Sequence, residues 1–269
     1  MARNGKRAAG RKATARKAAG KVRSDSELKA LIDDLVTANR IVYHQGVVDG
    51  FGHISARHPR DPDRFLMSRA RAPGLVIAAD ILVFGMDGEP VVTKNAPPIY
   101  GERFIHSEIY KARPDVNAVL HSHSPTVIPF SITNVPMRPI RVGFLYPEVP
   151  VFDTRDAAGW TDLLISNQAL GKALAQKLGN NSVVLLRGHG NAVVGPDLHV
   201  TVYRAIYTEQ NAKQQLQAMM LGGPITYLAP EEAQIINAVR AKRRPGIGVD
   251  RIWDLMKSEA FGTAGRRKS

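Results

Sequence analysis

The chain has no cysteine, which excludes disulfides and thiolate metal sites, so any bound metal must use His, Asp, Glu, carbonyl or water ligands. It has no apolar run near the ~20 residues of a membrane span, and no apolar stretch of the signal-peptide kind follows its basic start; a cytoplasmic location with no membrane partner is the expectation. Acidic residues are missing from both ends. Residues 1–23 carry nine Lys or Arg and residues 262–269 carry three more, so twelve of the thirteen excess positive charges lie outside the middle of the chain. Nucleic-acid binding is therefore expected at most non-specifically, through the basic tail.

What is present is enough for one sizeable core. The chain has 269 residues, 44% of them hydrophobic, as in ordinary globular domains. Residues 1–23 are Ala, Gly, Lys and Arg with one bulky apolar side chain and read as a disordered tail. Residues 24–261 read as one α/β domain, and 262–269 as a basic C-terminal tail. Ser24-Asp25-Ser26-Glu27 has the form of a capping box opening a helix over 25–44. Further helices are predicted from near Glu102 to the stop at Pro114, and over 162–178, 199–221 and 230–243. Strands are predicted over 64–67, 116–122 and 183–186, with a hairpin turning at Asp87-Gly88. Gly50-x-Gly52-x-x-Ser55 half-matches a dinucleotide fingerprint, but strand-like residues follow where that motif needs a helix.

The chemistry is carried by histidines. Side chains two apart on a strand share a face, so His121 and His123 project together from the end of the 116–122 strand. His189 follows another apolar strand in RGHGNAVVG, and Glu102 offers an oxygen ligand or a base. Three imidazoles and a carboxylate form a candidate site for a divalent metal such as zinc, manganese, iron or cobalt. His53, at the tip of the Gly52 turn, is a candidate to face substrate. Ser68 and Arg71, in the SRARAP loop, and Arg141 and Tyr146, further on, are candidates to bind substrate or move a proton; Arg71 suits a carboxylate. His44, His58, His106 and His199 read as structural or exposed.

Taken together, the capped first helix, the GHIS turn, Glu102, the ARPDVNAVLHSHSP block and LLRGHGNAVVG resemble the class II aldolase/adducin family over residues 24–225. The resemblance implies a three-layer α/β/α fold around a mixed, largely antiparallel sheet, and a homotetramer with active sites between subunits. It also implies His121, His123 and His189 as metal ligands and Glu102 as a fourth ligand that doubles as acid/base. Gly52-His53, Ala70-Arg71 and Tyr100-Gly101 stand where the family's sugar-phosphate aldolases cradle phosphate with small residues and hydroxyls. Here the chain is more similar to the family's decarboxylases, a resemblance that implies a manganese- or zinc-dependent decarboxylase of a hydroxylated aromatic or heteroaromatic carboxylate, such as a hydroxymethylpyridine dicarboxylate or dihydroxyphthalate. In that reading Glu102, with His53 or Tyr146, handles the proton, and Gly52, Ser68, Arg71 and Arg141 line the substrate. The alternatives are an aldolase, epimerase or dehydratase acting on a sugar phosphate or sugar acid, and a scaffold that kept the fold without the chemistry.

Overall fold

A computed structural model describes residues 5–146, 149–242 and 248–263, with side chains from residue 25 onward. The elements in chain order are α1 (Gly5–His44), β1 (His53–Arg57), β2 (Arg64–Ser68), β3 (Ile81–Gly85), α2 (Arg103–Ala112), β4 (Ala118–Ser122), α3 (Ile128–Ser131), β5 (Val151–Phe152), α4 (Thr154–Ala158), α5 (Gln168–Leu178), β6 (Val183–Leu186), β7 (Gly190–Gly195), α6 (Leu198–Met220), α7 (Pro230–Ala241) and α8 (Val249–Ala260).

The strands form one seven-stranded sheet in the order β3-β2-β1-β4-β7-β6-β5. Every pairing is antiparallel except β5 with β6. Strand alternation divides the core in two. Ile54, Ala56, Leu66, Ala118, Leu120, Val183, Leu185 and Val193 pack on one face with apolar residues of α1, α6 and α8. Phe65, Met67, Val119, Val184, Leu186, Ala192 and Val194 pack on the other with α2 and α5. The result is the expected three-layer α/β/α arrangement. Each layer forms because each helix has one apolar stripe, as in α1, where Leu35, Ala38, Ile41 and Val42 recur at helical spacing and are all buried.

Several boundaries differ from expectation. The backbone of α1 begins at Gly5 and runs through the Ser24-Asp25-Ser26-Glu27 segment; Ala, Lys and Arg are strong helix formers, so nothing in that stretch forces a start. Ser68 closes strand β2 instead of opening a loop. Helix α5 starts at Gln168, not at 162. The Asn167 side chain accepts the Leu170 N–H as its cap, while Asp162 accepts the Leu164 N–H in a turn. The 162–167 segment is thus left as a loop, with consequences for the site. Helix α8 was not foreseen; its Trp253 and Met256 are buried in the α1/α6 layer. Among the described residues, no helix is long and apolar enough to cross a membrane.

Candidate active site

The site gathers on the α2 face of the sheet, at one end of its central strands. β1 and β4 pair so that His53 lies directly opposite His121, which puts both side chains on one face. β4 and β7 pair so that Ser122 lies opposite Asn191. The turn leading into β7 carries His189. A Cβ at Gly190 would sit 2.1 Å from the Ser122 carbonyl oxygen and 3.2 Å from the His123 ring. Only glycine allows that approach, so residue 190 lets His189 come alongside the 121–123 pair. The Gly188 N–H donates to Ser131 Oγ at 2.9 Å, and the His189 N–H to the Leu186 carbonyl at 3.1 Å, which closes the turn.

The three rings meet. Their centroids lie 5.0 Å (121–123), 4.9 Å (121–189) and 5.0 Å (123–189) apart. Glu102, at the N-terminus of α2, turns its carboxylate toward them: Oε2 is 3.4 Å from His121 Nε2 and 3.5 Å from His189 Nε2. One ligand atom from each of Glu102, His121, His123 and His189 can be chosen so that all lie within 4.8 Å of one another.

The protons decide what that cluster is. His121 Nδ1 is 3.2 Å from the Asn191 carbonyl oxygen, His189 Nδ1 is 3.1 Å from the Leu163 carbonyl oxygen, and His123 Nδ1 is 3.1 and 3.2 Å from the two Asp49 carboxylate oxygens. Carbonyl and carboxylate oxygens only accept, so each neutral ring carries its proton on Nδ1 and turns an Nε2 lone pair inward. His121 Nε2 and His123 Nε2 then lie 3.2 Å apart with no proton between them. Three lone pairs and a carboxylate facing one point, each ring steadied from behind by an acceptor, fit a divalent cation.

Burial pushes the Glu102 carboxyl up, but the adjoining His121 and His189 imidazoles outweigh it and hold the group well below the usual carboxylate range. Its Oε1 accepts the Ile165 N–H at 3.0 Å. The 162–167 segment therefore serves the site twice over with backbone groups, the Leu163 carbonyl on His189 and the Ile165 N–H on Glu102. A helix could not supply both.

The remaining expected site residues divide. His53 is buried, its ring 5.1 Å from His121 and 4.5 Å from Tyr100. Gly52 is buried where a Cβ would meet Val48 at 2.6 Å and the His121 carbonyl oxygen at 3.2 Å, so it packs the turn against β4. Ser68 Oγ lies 3.4 Å from the Tyr100 hydroxyl, which also donates to the Arg71 carbonyl. Arg71 reaches Asp80 at 3.1 Å and keeps a third of its side chain exposed. Tyr100 thus joins Ser68 and Arg71 to the His53 side of the cluster. Arg141 and Tyr146 are not brought there. Arg141 bonds Gln210 and Gln214 of α6 and lies over Tyr207. Tyr146 lines a separate cavity with Asn181, Tyr203 and Arg240.

His106 was expected to be structural or exposed, and the structure gives the first of these. It is fully buried and bonded to His53, Nε2 to Nδ1, at 2.7 Å. Its other nitrogen meets Ser55 Oγ at 2.6 Å, and Ser55 Oγ meets the Tyr110 hydroxyl at 2.8 Å. The signal was present: Glu102, His106 and Tyr110 are four apart and share one helix face, and His53 and Ser55 share one strand face.

Four groups that could hold a cation, gathered at one end of this sheet, make an α/β protein with a candidate active site. The chain belongs to the class II aldolase and adducin family, whose N-terminal-domain model matches residues 33–216. It is 43% identical over 69% of its length to the decarboxylase tropJ of Talaromyces stipitatus, covering 75% of that protein. It is 33% identical over 71% of its length to the 3,4-dihydroxyphthalate decarboxylase of Arthrobacter keyseri, covering 79% of it. Among solved structures, the L-fuculose 1-phosphate aldolase of Glaciozyma antarctica PI12 superposes with a TM-score of 0.73 at 22% identity, over 91% of this chain and 94% of that one; this likeness concerns the fold.

Proposed function

We propose that the protein is a divalent-metal-dependent decarboxylase acting on a hydroxylated aromatic or heteroaromatic carboxylate, with manganese or zinc at the site. The observation that carries the reading is the convergence of three inward lone pairs and the Glu102 carboxylate. Similarity to two decarboxylases, one of them acting by name on dihydroxyphthalate, supports the carboxylate substrate. So does the wall of His53, Tyr100 and Arg71, which lacks the small residues that would cradle a phosphate.

The ring carbon takes a proton as the neighbouring hydroxyl gives one up; the C–CO2 bond then breaks and its electron pair passes through the ring onto that oxygen. A cation held by His121, His123, His189 and Glu102 supplies Lewis-acid stabilisation of that oxygen, typically worth several kcal/mol. Asp49 and the Asn191 and Leu163 carbonyls keep the three rings aimed. Glu102, ionised and anchored at Oε1 by the Ile165 N–H, takes the proton of the substrate hydroxyl at Oε2 and passes it to the ring carbon. Arg71, with one edge of its guanidinium on Asp80, offers its remaining donors to a second carboxylate, and Ser68 and Tyr100 set its loop. Arg141 and Tyr146 take no part within a single chain.

The protein is further proposed to work as a homotetramer with the site between subunits. Phe51, Ile132, Trp160 and Leu164 are exposed large apolar residues on the segments that carry Asp49, Ser131 and Leu163, an apolar margin that a neighbouring subunit would cover.

The test is to purify the full chain with manganese or zinc, offer hydroxylated aromatic dicarboxylates and follow carbon dioxide. Release that stops on chelation and returns with metal is expected. Unchanged release after metal removal, or cleavage of a sugar phosphate in its place, would overturn the reading. Light scattering tests the assembly, and a monomer at micromolar concentration would refute it.

A further inference from the structure

Four buried groups form an unbranched chain of hydrogen bonds behind the candidate metal cluster: Tyr110, Ser55, His106 and His53. All four are at most 2% exposed. The links are 2.8 Å (Tyr110 hydroxyl to Ser55 Oγ), 2.6 Å (Ser55 Oγ to His106 Nδ1) and 2.7 Å (His106 Nε2 to His53 Nδ1).

Proton direction along such a chain is set by its end. The Tyr110 hydroxyl oxygen meets the Val119 N–H, which can only donate, and Ser55 Oγ, so among the described residues Ser55 is its acceptor. Burial also pushes this phenol well above its ordinary pKa, so it keeps its proton. A buried hydroxyl proton without an acceptor is costly, so Tyr110 donates to Ser55. The Ser55 proton then goes to its remaining partner, His106 Nδ1. His106 is neutral, since burial and the nearby His121 lower its pKa to about 3. With Nδ1 accepting, its one proton sits on Nε2 and is donated to His53 Nδ1. A neutral His53 with Nδ1 accepting carries its proton on Nε2. The reversed chain would leave the Tyr110 proton with no acceptor.

We infer that Tyr110, Ser55 and His106 are positioning residues that fix His53 as its Nε2–H tautomer, so that it offers a hydrogen-bond donor, and not a basic lone pair, to an anionic oxygen of the substrate. This is the opposite tautomer to that of His121, His123 and His189. The difference explains how a fourth imidazole can sit 5.1 Å from His121 without being a fourth nitrogen ligand: the carbonyl and carboxylate partners of the three ligands take a proton at Nδ1, whereas the partner of His53 supplies one. It also assigns His53 to substrate recognition, not to acid/base work. Giving up Nε2–H to a carbon would draw protons down the whole chain and leave a buried phenolate on Tyr110. The choice of an anionic oxygen as its target rests on the proposed carboxylate substrate; the tautomer does not.

The experiment is nitrogen-15 NMR on the full chain labelled at its eight histidines, metal-free and loaded with diamagnetic zinc. His53 and His106 are assigned by their absence in His53→Gln and His106→Gln. Both rings are expected as Nε2–H tautomers with pyridine-like Nδ1 signals; an Nδ1–H or an imidazolium at either ring overturns the inference. The readout needs no variant to fold beyond assignment and no substrate, so failure of the proposed reaction would leave it standing. Tyr110→Phe removes the end donor and should give mixed tautomers at His53. Where turnover is measurable, it should raise KM for the anionic substrate by about tenfold with a smaller change in kcat. A pure Nε2–H signal in that variant, or a loss confined to kcat, would equally refute the role of the chain.

Discussion

Replacing Asp49 by Ala probes the proposed metal site without touching any of its four proposed ligands. The Asp49 carboxylate meets His123 Nδ1 at 3.1 and 3.2 Å, and its Oδ1 also accepts the Phe51 N–H at 2.8 Å. Burial raises the Asp49 carboxyl pKa, but the Phe51 N–H and the His123 ring bring it below its ordinary value, as expected of a carboxylate that orients an imidazole. Removing a group that orients a metal-bound histidine usually weakens metal binding about 10- to 100-fold. Asp49 is 52% exposed and His123 19%, so water screens the contact and the low end applies: about tenfold, or ~1.4 kcal/mol. Asp49→Asn keeps an acceptor and the turn but loses the charge, and charge roughly doubles such a bond; about threefold is expected. Competition of zinc between the protein and a chromogenic chelator reads both. If Asp49→Ala binds zinc as tightly as the wild type while His189→Ala does not bind it, the orienting argument is wrong.

His106, held at about 3 by burial, stays neutral when folded but takes up a proton when unfolded below its ordinary value of 6.5. The unfolded state binds more protons between those limits, so stability falls with falling pH there. From pH 6.5 to 4.5 this group should cost the wild type about 2 kcal/mol; urea unfolding of His106→Gln should show a slope flatter by that amount, and parallel slopes would refute it. Gly190→Ala forces a methyl to within 2.1 Å of the Ser122 carbonyl oxygen and should destabilise by at least ~2 kcal/mol; a change under ~0.5 kcal/mol in urea would show that the strands part freely. Arg71→Ala should raise KM for a dicarboxylate about tenfold while leaving a monocarboxylate nearly unaffected, and equal losses on both would remove Arg71 from recognition of the second carboxylate.

Much of the site was legible because its signals are local. His121 and His123 announce themselves by two-residue spacing at a strand end, His189 by its place between two apolar strands, and Glu102 by standing where α2 begins after a Pro-containing loop. The hidden part depends on pairing between distant elements. His106 looks like any other helix residue until register sets His53 opposite His121 and brings α2 beneath both. The 162–167 loop was taken for helix because its apolar residues suit one; its backbone instead goes to His189 and Glu102, and Asn167 caps the helix only afterwards. Arg141 shows the reverse case: an arginine in a Pro-rich loop looks available, and within the single chain its donors go to the glutamines of α6.

Composition and spacing alone determined that a metal here must be held by nitrogen and oxygen, and that three histidines and one carboxylate were the ligands to expect; helices on both faces of one sheet were implied by the family resemblance. Residue types fix ligand chemistry, and apolar periodicity fixes which faces must be buried. Which nitrogen of each ring bears its proton was decided only by tertiary structure. A tautomer depends on the partner at the far side of the ring, and those partners, the Asn191 and Leu163 carbonyls, Asp49 and His106, lie between 26 and 74 residues away along the chain for the three clustered histidines and 53 for His53.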